Sequence, residues 1–244
     1  MSPQANIFDR NIMLRSLRQK LEEKTDQKTK ESGPKFFKEQ VKLHGVKTAT
    51  VTKISKEYFE YVKDWKKDYI FDLCEELWKS GYLEESFVAC NWSYSLHKQY
   101  SLEDFFVFDK WLRLYVNNWA SCDTLCNHTI GTLVERYPEL MEKLVQWTQS
   151  KNRWLRRGAA VTLIIPARHG KFLHEIFRIA DALLVDNDDL VQKGYGWMLK
   201  AASEAHQKQV FDYVTKNKSK MPRTALRYAI EKMPRDVKNK LMNL

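Results

Sequence analysis

Trp119 and Asp123 stand four residues apart in Asn-Trp-Ala-Ser-Cys-Asp-Thr. On a helix that spacing projects an indole and a carboxylate from one face. Two further segments add aromatic and cationic side chains: Trp154-Leu155-Arg156-Arg157, and Gly-Tyr-Gly-Trp-Met-Leu-Lys over 194–200, which contains Trp197. An acid beside aromatic faces on a basic chain suits the holding of a cation near a polyanion. That is nucleic-acid chemistry more than scaffold chemistry. Cys122, Cys126 and His128 raise a zinc question, but their spacing is wrong for a structural site and no second Cys/His pair follows. The four cysteines read as buried thiols of a reducing compartment. His128, His169 and His174 show no ligand spacing, and neither a metal nor a cofactor is expected.

The elements that must position these residues are helical. Only 8 Gly and 6 Pro interrupt 244 residues, and apolar residues recur at three- and four-residue intervals. Residues 5–24 read as an amphipathic helix with Ile7, Phe8, Ile12, Met13, Leu17 and Leu21 on one side. Residues 25–34 read as a linker, with Pro34 at a helix start. Helices are then expected over 35–43, 48–65, 67–80, 84–98, 102–118, 121–136, 138–150, 152–165, 171–185, 188–204, 206–217, 222–231 and 235–242. Ser121 is a candidate cap that would leave Asp123 near a helix N-terminus. Trp154 reads as a core anchor.

A faint repeat runs through the second half. Arg157-x-x-Ala160-Val-x-Leu-Ile is echoed 36 residues later by Lys193-x-x-Gly196-Trp-x-Leu-Lys, and Leu226-x-x-Ala229-Ile-Glu-Lys follows 33 residues after that. Periods of this size suggest stacked helical hairpins of the HEAT type, with Ala160, Gly196 and Ala229 allowing neighbouring helices to approach closely. The expected fold is all-α: HEAT-like repeats in one domain over 1–244, with an N-terminal helix and linker over 1–33, curving into an α-α superhelix with a concave face. A plain helical bundle is the alternative.

Charge is unevenly spread. The net charge is +10; residues 1–50 hold 11 Lys/Arg against 6 Asp/Glu, residues 51–150 hold 11 against 16, and residues 151–244 hold 19 against 9. A positive field over the last part suits a face that meets phosphates. Aromatics at 13% and apolar residues at 43% exclude intrinsic disorder. No stretch approaches the roughly 18 apolar residues of a membrane span, and the polar start Met-Ser-Pro-Gln-Ala-Asn lacks an apolar signal core. A soluble, cytoplasmic monomer is expected.

The order and separation of Trp119-x-x-x-Asp123, Trp154-Leu155-Arg156-Arg157 and Gly196-Trp197, with His44-Gly45-Val46-Lys47-Thr48 upstream, resemble the AlkD-like family of DNA alkylation repair glycosylases. The resemblance covers most of the chain and implies a HEAT-like fold and a partner, duplex DNA containing alkylated purines. It implies release of cationic 3-methyladenine and 7-methylguanine, with the lesion held against the DNA rather than swallowed into a deep pocket. By the resemblance, Asp123 is the catalytic carboxylate, Trp119 and Trp197 pack against the sugar and backbone of the damaged nucleotide, and Arg157 contacts phosphate. Arg153, Arg156 and Lys193 join the expected DNA contacts; Arg168, Lys171 and Arg178 read as DNA-lining or solvated charges. The chain departs from the family at Phe36-Phe37-Lys38, where members can carry a tyrosine near the DNA. Phe36 keeps the ring without the hydroxyl, and Lys38 adds a cation. Between Trp119 and Asp123, Ala-Ser-Cys is smaller than the aromatic-rich versions of some members.

The chemistry is consistent with that set. An N3- or N7-alkylated purine carries positive charge, so its glycosidic bond is weak and it departs as a neutral base without a general acid. The sugar passes through an oxocarbenium-like cation, which one carboxylate can stabilise while orienting water. Lys193 could attack an opened sugar as an amine nucleophile, but a phosphate contact or a solvated lysine is the better reading, so a monofunctional enzyme is expected. The rival readings are a non-catalytic binder of damaged or branched DNA and a HEAT-type protein adaptor.

Overall fold

The apolar three-and-four spacing becomes helix along nearly the whole chain. The computed structural model describes residues 3–242, with side chains from Arg10 onward, so Ile7 and Phe8 of the expected apolar face lie outside the described side chains. The helices are α1 (Pro3–Glu23), α2 (Gln27–Ser32), α3 (Thr48–Phe59), α4 (Lys67–Lys79), α5 (Leu83–Ser95), α6 (Asp104–Leu114), α7 (Trp119–Thr124), α8 (Gly131–Arg136), α9 (Met141–Trp147), α10 (Arg153–Val161), α11 (Ile164–Arg168), α12 (Leu173–Ala182), α13 (Asp189–Ala202), α14 (Gln207–Asn217), α15 (Arg223–Ala229) and α16 (Arg235–Met242). No strand occurs among the described residues; Lys42 and Tyr82 form one isolated parallel bridge.

The expected linker over 25–34 is largely helical. Asp26 starts α2 by accepting the Thr29 amide at 2.8 Å and its hydroxyl at 2.7 Å, the geometry of an N-cap. Gly33–Phe36 then forms a 3-10 turn with Pro34 near its start. The helix expected over 35–43 does not form beyond Phe36; residues 37–47 are irregular apart from the bridge at Lys42.

The chain divides into two compact units. One comprises Met1–Ser101 with Leu114–Thr124, the other Leu102–Arg113 with Leu125–Leu244. In the first, α4 and α3 pack on α5, α1 packs on α3 and α4, and α7 packs on α5. Leu17, Leu21, Val62, Ile70, Leu77 and Trp92 are fully buried there. The Trp92 indole N–H donates to the Ser55 carbonyl at 2.9 Å, satisfying its one polar atom.

The irregular segment after Phe36 is fastened at its far end by buried carboxylates. Glu84, 3% exposed, accepts the successive amides of His44, Gly45 and Val46 at 3.0, 2.8 and 3.0 Å. Consecutive amides converging on one anion form a cradle that replaces the carboxylate's lost hydration. Gly45 has φ +88, and a Cβ there would stand 2.5 Å from Lys30 Cβ, so the cradle needs glycine at this point. Neighbouring Glu85, 1% exposed, takes the His44 Nε2 at 3.1 Å and the Arg18 Nε at 3.0 Å. The His44 ring stacks on Tyr82 with centroids 3.8 Å apart. His44-Gly45-Val46 is thus a structural motif in this fold.

In the second unit two rows of helices stack. In one row α10, α13 and α15 pack in that order; in the other α9 packs on α12, and Phe177 of α12 stacks on Tyr213 of α14 with centroids 4.6 Å apart. α9 and α10 pack together, as do α12 and α13. The echoed residues Arg157, Lys193 and Leu226 fall on α10, α13 and α15 of one row, and the all-helical fold is of the α-α superhelix class. Gly196 shows why a small residue recurs: a Cβ there would lie 2.7 Å from the Ala225 carbonyl oxygen of α15. Ala160 and Ala229, at the echoed positions, are fully buried. Trp154 is buried, as expected of an anchor. All four cysteines are buried free thiols, and burial pushes the Cys74 thiol well up.

Candidate active site

Asn118 creates the local geometry around Asp123. Its side-chain oxygen accepts the Ser121 amide at 2.9 Å, which makes Asn118 the N-cap of α7 and Trp119 its first residue. This corrects the expectation that Ser121 caps the helix and that helix begins at 121. Ser121 instead sits in the first turn with its hydroxyl on the Asn118 carbonyl at 3.3 Å. Asp123 therefore lies in the second turn, one turn beyond Trp119 and on its face.

Asp123 is 9% exposed while Trp119 is half-buried. The Trp119 ring stacks on Phe37, with centroids 5.4 Å apart and planes inclined by 24°. Its indole N–H points to the Phe36 carbonyl at 3.4 Å, a weak contact. Within the first unit the structure thus joins Trp119 and Asp123 to the Phe36–Phe37 segment. The Phe36 side chain is 74% exposed and Lys38 is exposed too. Phe37, which covers one indole face, was not singled out from sequence. Its partner lies 82 residues along the chain, and no local spacing encodes that contact.

The remaining site residues belong to the second unit, where α10 and the start of α13 share an ionic knot. Asn152 caps α10 by accepting the Trp154 amide at 2.9 Å. Arg153 Nη2 donates to Asp188 Oδ1 at 2.8 Å. Arg156 Nε donates to Asp186 Oδ2 at 2.7 Å, and its Nη1 to the carbonyls of Ser150 and Lys151 at 2.9 and 3.1 Å. Arg157, 5% exposed, donates through Nη1 to the Leu190 carbonyl. Asp188 itself caps α13, accepting the amides of Leu190 and Val191 at 2.9 and 3.3 Å. Lys193 pairs with Asp189 at 3.2 Å, both about one-third exposed.

These cations therefore hold the α12–α13 loop and the first turn of α13. The acids Asp186, Asp188 and Asp189 were missed from sequence, although Asp188 ahead of an apolar periodic run is a recognisable cap signal. Farther along α13, Trp197 is half-buried, and its indole makes no ring contact or hydrogen bond among the described residues. Arg168, Lys171 and Arg178 are also paired, with Glu204 at 3.5 Å, Glu135 at 3.4 Å and Glu142 at 2.6 Å. Arg178 meets both oxygens of Glu142, and that hydrogen bonding holds the Glu142 carboxyl below its usual range.

The sequence model of the DNA alkylation repair enzyme family matches residues 17–233, which spans α7, α10 and α13 entirely. The chain belongs to this family. A solved structure, a predicted DNA alkylation repair enzyme from Enterococcus faecalis, superimposes with a TM-score of 0.78 at 16% sequence identity, covering 87% of this chain and 98% of that one. At that identity the likeness speaks for the fold, and the fold is shared over almost the whole of the Enterococcus chain. No match was found among curated proteins. Family membership assigns the chain to alkylation repair, with DNA as the substrate. No helix among the described residues is long and apolar enough to cross a membrane.

Proposed function

We propose that this family member is an AlkD-like, monofunctional DNA glycosylase that hydrolyses the N-glycosidic bond of positively charged alkylpurines, 3-methyladenine and 7-methylguanine, in duplex DNA. The observation that carries the reading is Asp123: a carboxylate only 9% exposed, one helical turn beyond a half-buried tryptophan, in a chain of a DNA alkylation repair family. A carboxylate screened from water acts more strongly on a developing cation than an exposed one.

In this reading Asp123 stabilises the oxocarbenium-like sugar and aligns the attacking water, while the base leaves neutral with no proton to receive. Trp119 offers an indole face to the damaged nucleotide, contributing about 0.5–2 kcal/mol of cation–π attraction, and the resemblance assigns Trp197 the same kind of role. Phe36 and Lys38, beside Trp119, are assigned to the DNA strand. Arg153, Arg156, Arg157 and Lys193 are assigned to phosphates. Their acidic and carbonyl partners hold them in place, and a phosphate oxygen must compete with those partners. No metal or cofactor enters the scheme, and the active species is proposed to be a monomer.

The test is release of 7-methylguanine from a duplex containing one such lesion, with Asp123→Asn alongside. The wild type is expected to release the base. The variant is expected to bind the duplex equally well and to lose about 100-fold or more in rate. Unchanged release by the variant removes Asp123 from the mechanism. Tight duplex binding without release of either methylated purine by the wild type favours a non-catalytic binder of damaged DNA.

A further inference from the structure

Between α13 and α15 lies a cleft of about 380 Å³ lined by Lys193, Thr224, Arg227, Tyr228 and Glu231. Its chemistry favours an anion. Arg227 supplies a cation with no ion-pair partner among the described residues, Lys193 a second that is already paired with Asp189 at 3.2 Å, and Thr224 and Tyr228 supply hydroxyls. The carboxylate in the wall, Glu231, is already taken by Lys200 at 2.9 Å, so it repels an incoming anion less than a bare acid would. Lys200 also lies 5.7 Å from the centre of the Tyr228 ring.

The chain that leads into α15 carries the same sign of charge. From Tyr213 to Ile230 the sequence carries Lys216, Lys218, Lys220, Arg223 and Arg227 and no acidic residue. None of these five has an ion-pair partner among the described residues. The contrast with α10 is sharp: Arg153 and Arg156 are tied to Asp188 and Asp186, and Arg157 is buried against a backbone carbonyl. A run of uncompensated cations that leads into a helix lining a hydroxyl-bearing cleft fits a repeating phosphodiester better than a lone carboxylate.

We propose that the α13–α15 cleft is a phosphate-backbone site for duplex DNA, with Arg227 as its principal cation, Thr224 as a hydroxyl donor, and the Lys216–Arg223 run continuing the contact along the strand. This rests on the reading of the chain as a DNA-repair glycosylase and adds residues that the family resemblance did not assign. It places the main electrostatic grip on α15 and the turn before it rather than on the arginines of α10.

The experiment is duplex affinity across a salt series for the wild type, Arg227→Ala, Thr224→Val and Lys63→Ala. Lys63→Ala removes one exposed cation of the other unit and serves as the charge-matched control. Arg227→Ala is expected to weaken binding several-fold at low salt and to lower the slope of log affinity against log salt by about 0.9, one phosphate contact. Thr224→Val is expected to weaken binding with the slope unchanged. Arg227→Ala behaving like Lys63→Ala overturns the proposal while leaving the glycosylase reading intact. A wild type that binds duplex without salt dependence also overturns the proposal, while base release decides the glycosylase reading separately. Salt-dependent binding that falls with Arg227→Ala, in a protein that releases no base, upholds the cleft and overturns only the glycosylase reading.

Discussion

Asp123 and Glu84 are both buried carboxylates of the first unit, and they illustrate what spacing along a chain can and cannot encode. The partnership of Trp119 with Asp123 is four residues long and therefore visible as text; the structure supplies the helix that spacing assumes. Glu84 is anchored by amides 38–40 residues away, so no local pattern announces it. His44-Gly45-Val46 was legible only as a mark of resemblance, and the structure gives its physical reason. Removing the carboxylate with Glu84→Ala strands three inward-facing amides. We expect a loss of at least about 2–3 kcal/mol in urea unfolding, against a smaller loss for Glu84→Gln, which keeps an acceptor. Acid acts at two neighbouring carboxylates, Glu85 and Asp26. Burial alone would raise the Glu85 carboxyl, but the His44 hydrogen bond and the Arg18 guanidinium outweigh it and hold it below its ordinary range. Asp26 is lowered to about 2, chiefly by its hydrogen bonds to Thr29, with Lys47 adding to them. Groups depressed in the folded state stabilise it fully above their unfolded values, here 4.5 and 3.8. That contribution fades as pH falls through the folded values. Urea midpoints should therefore decline below about pH 4.5, and Glu85→Gln should flatten the decline; an equal decline in the variant would remove Glu85 as a contributor.

At the scale of elements, apolar periodicity located most helices because burying one face is what makes them stable. The α10, α13 and α15 segments were each expected within a few residues of their bounds. Capping was less legible. Asp26 turns a polar, charge-rich stretch into α2, and Asn118 starts α7 two residues ahead of the expected helix. Both are cases of a side chain satisfying amides that composition alone leaves unassigned. Between α7 and α8, residues Leu125–Ile130 wind as a π-helix, a widening that sequence spacing did not suggest. The close approach of α13 to α15 gives a direct check on the stacking. Gly196→Ala puts a methyl 2.7 Å from the Ala225 oxygen and 2.7 Å from Tyr228 Cβ, so the helices must separate. We expect about 1–3 kcal/mol of destabilisation by thermal or urea unfolding. Duplex affinity should fall with it, since Thr224 and Arg227 ride on α15. Full stability in this variant would show that α13 and α15 pack less closely than described.

Across the whole molecule, the charge gradient was plain in the sequence, but its meaning was not. The +10 total is built from cations of two kinds. Arg153 and Arg156 of α10 are matched to Asp188 and Asp186, and those from Lys216 to Arg227 lack acidic partners among the described residues. Counting residues cannot separate the two, because pairing depends on which loop meets which helix. The partition of the chain carries a different consequence, one of birth order. Leu102–Arg113 belongs to one unit and Leu114–Thr124 to the other, so the polypeptide alternates between them before either is finished. A ribosome making this protein delivers Trp119 and Asp123 only after the opening segment of the second unit has already emerged. The first unit cannot close around its own carboxylate while it is being made alone, and a fragment ending at Ser101 lacks that carboxylate altogether.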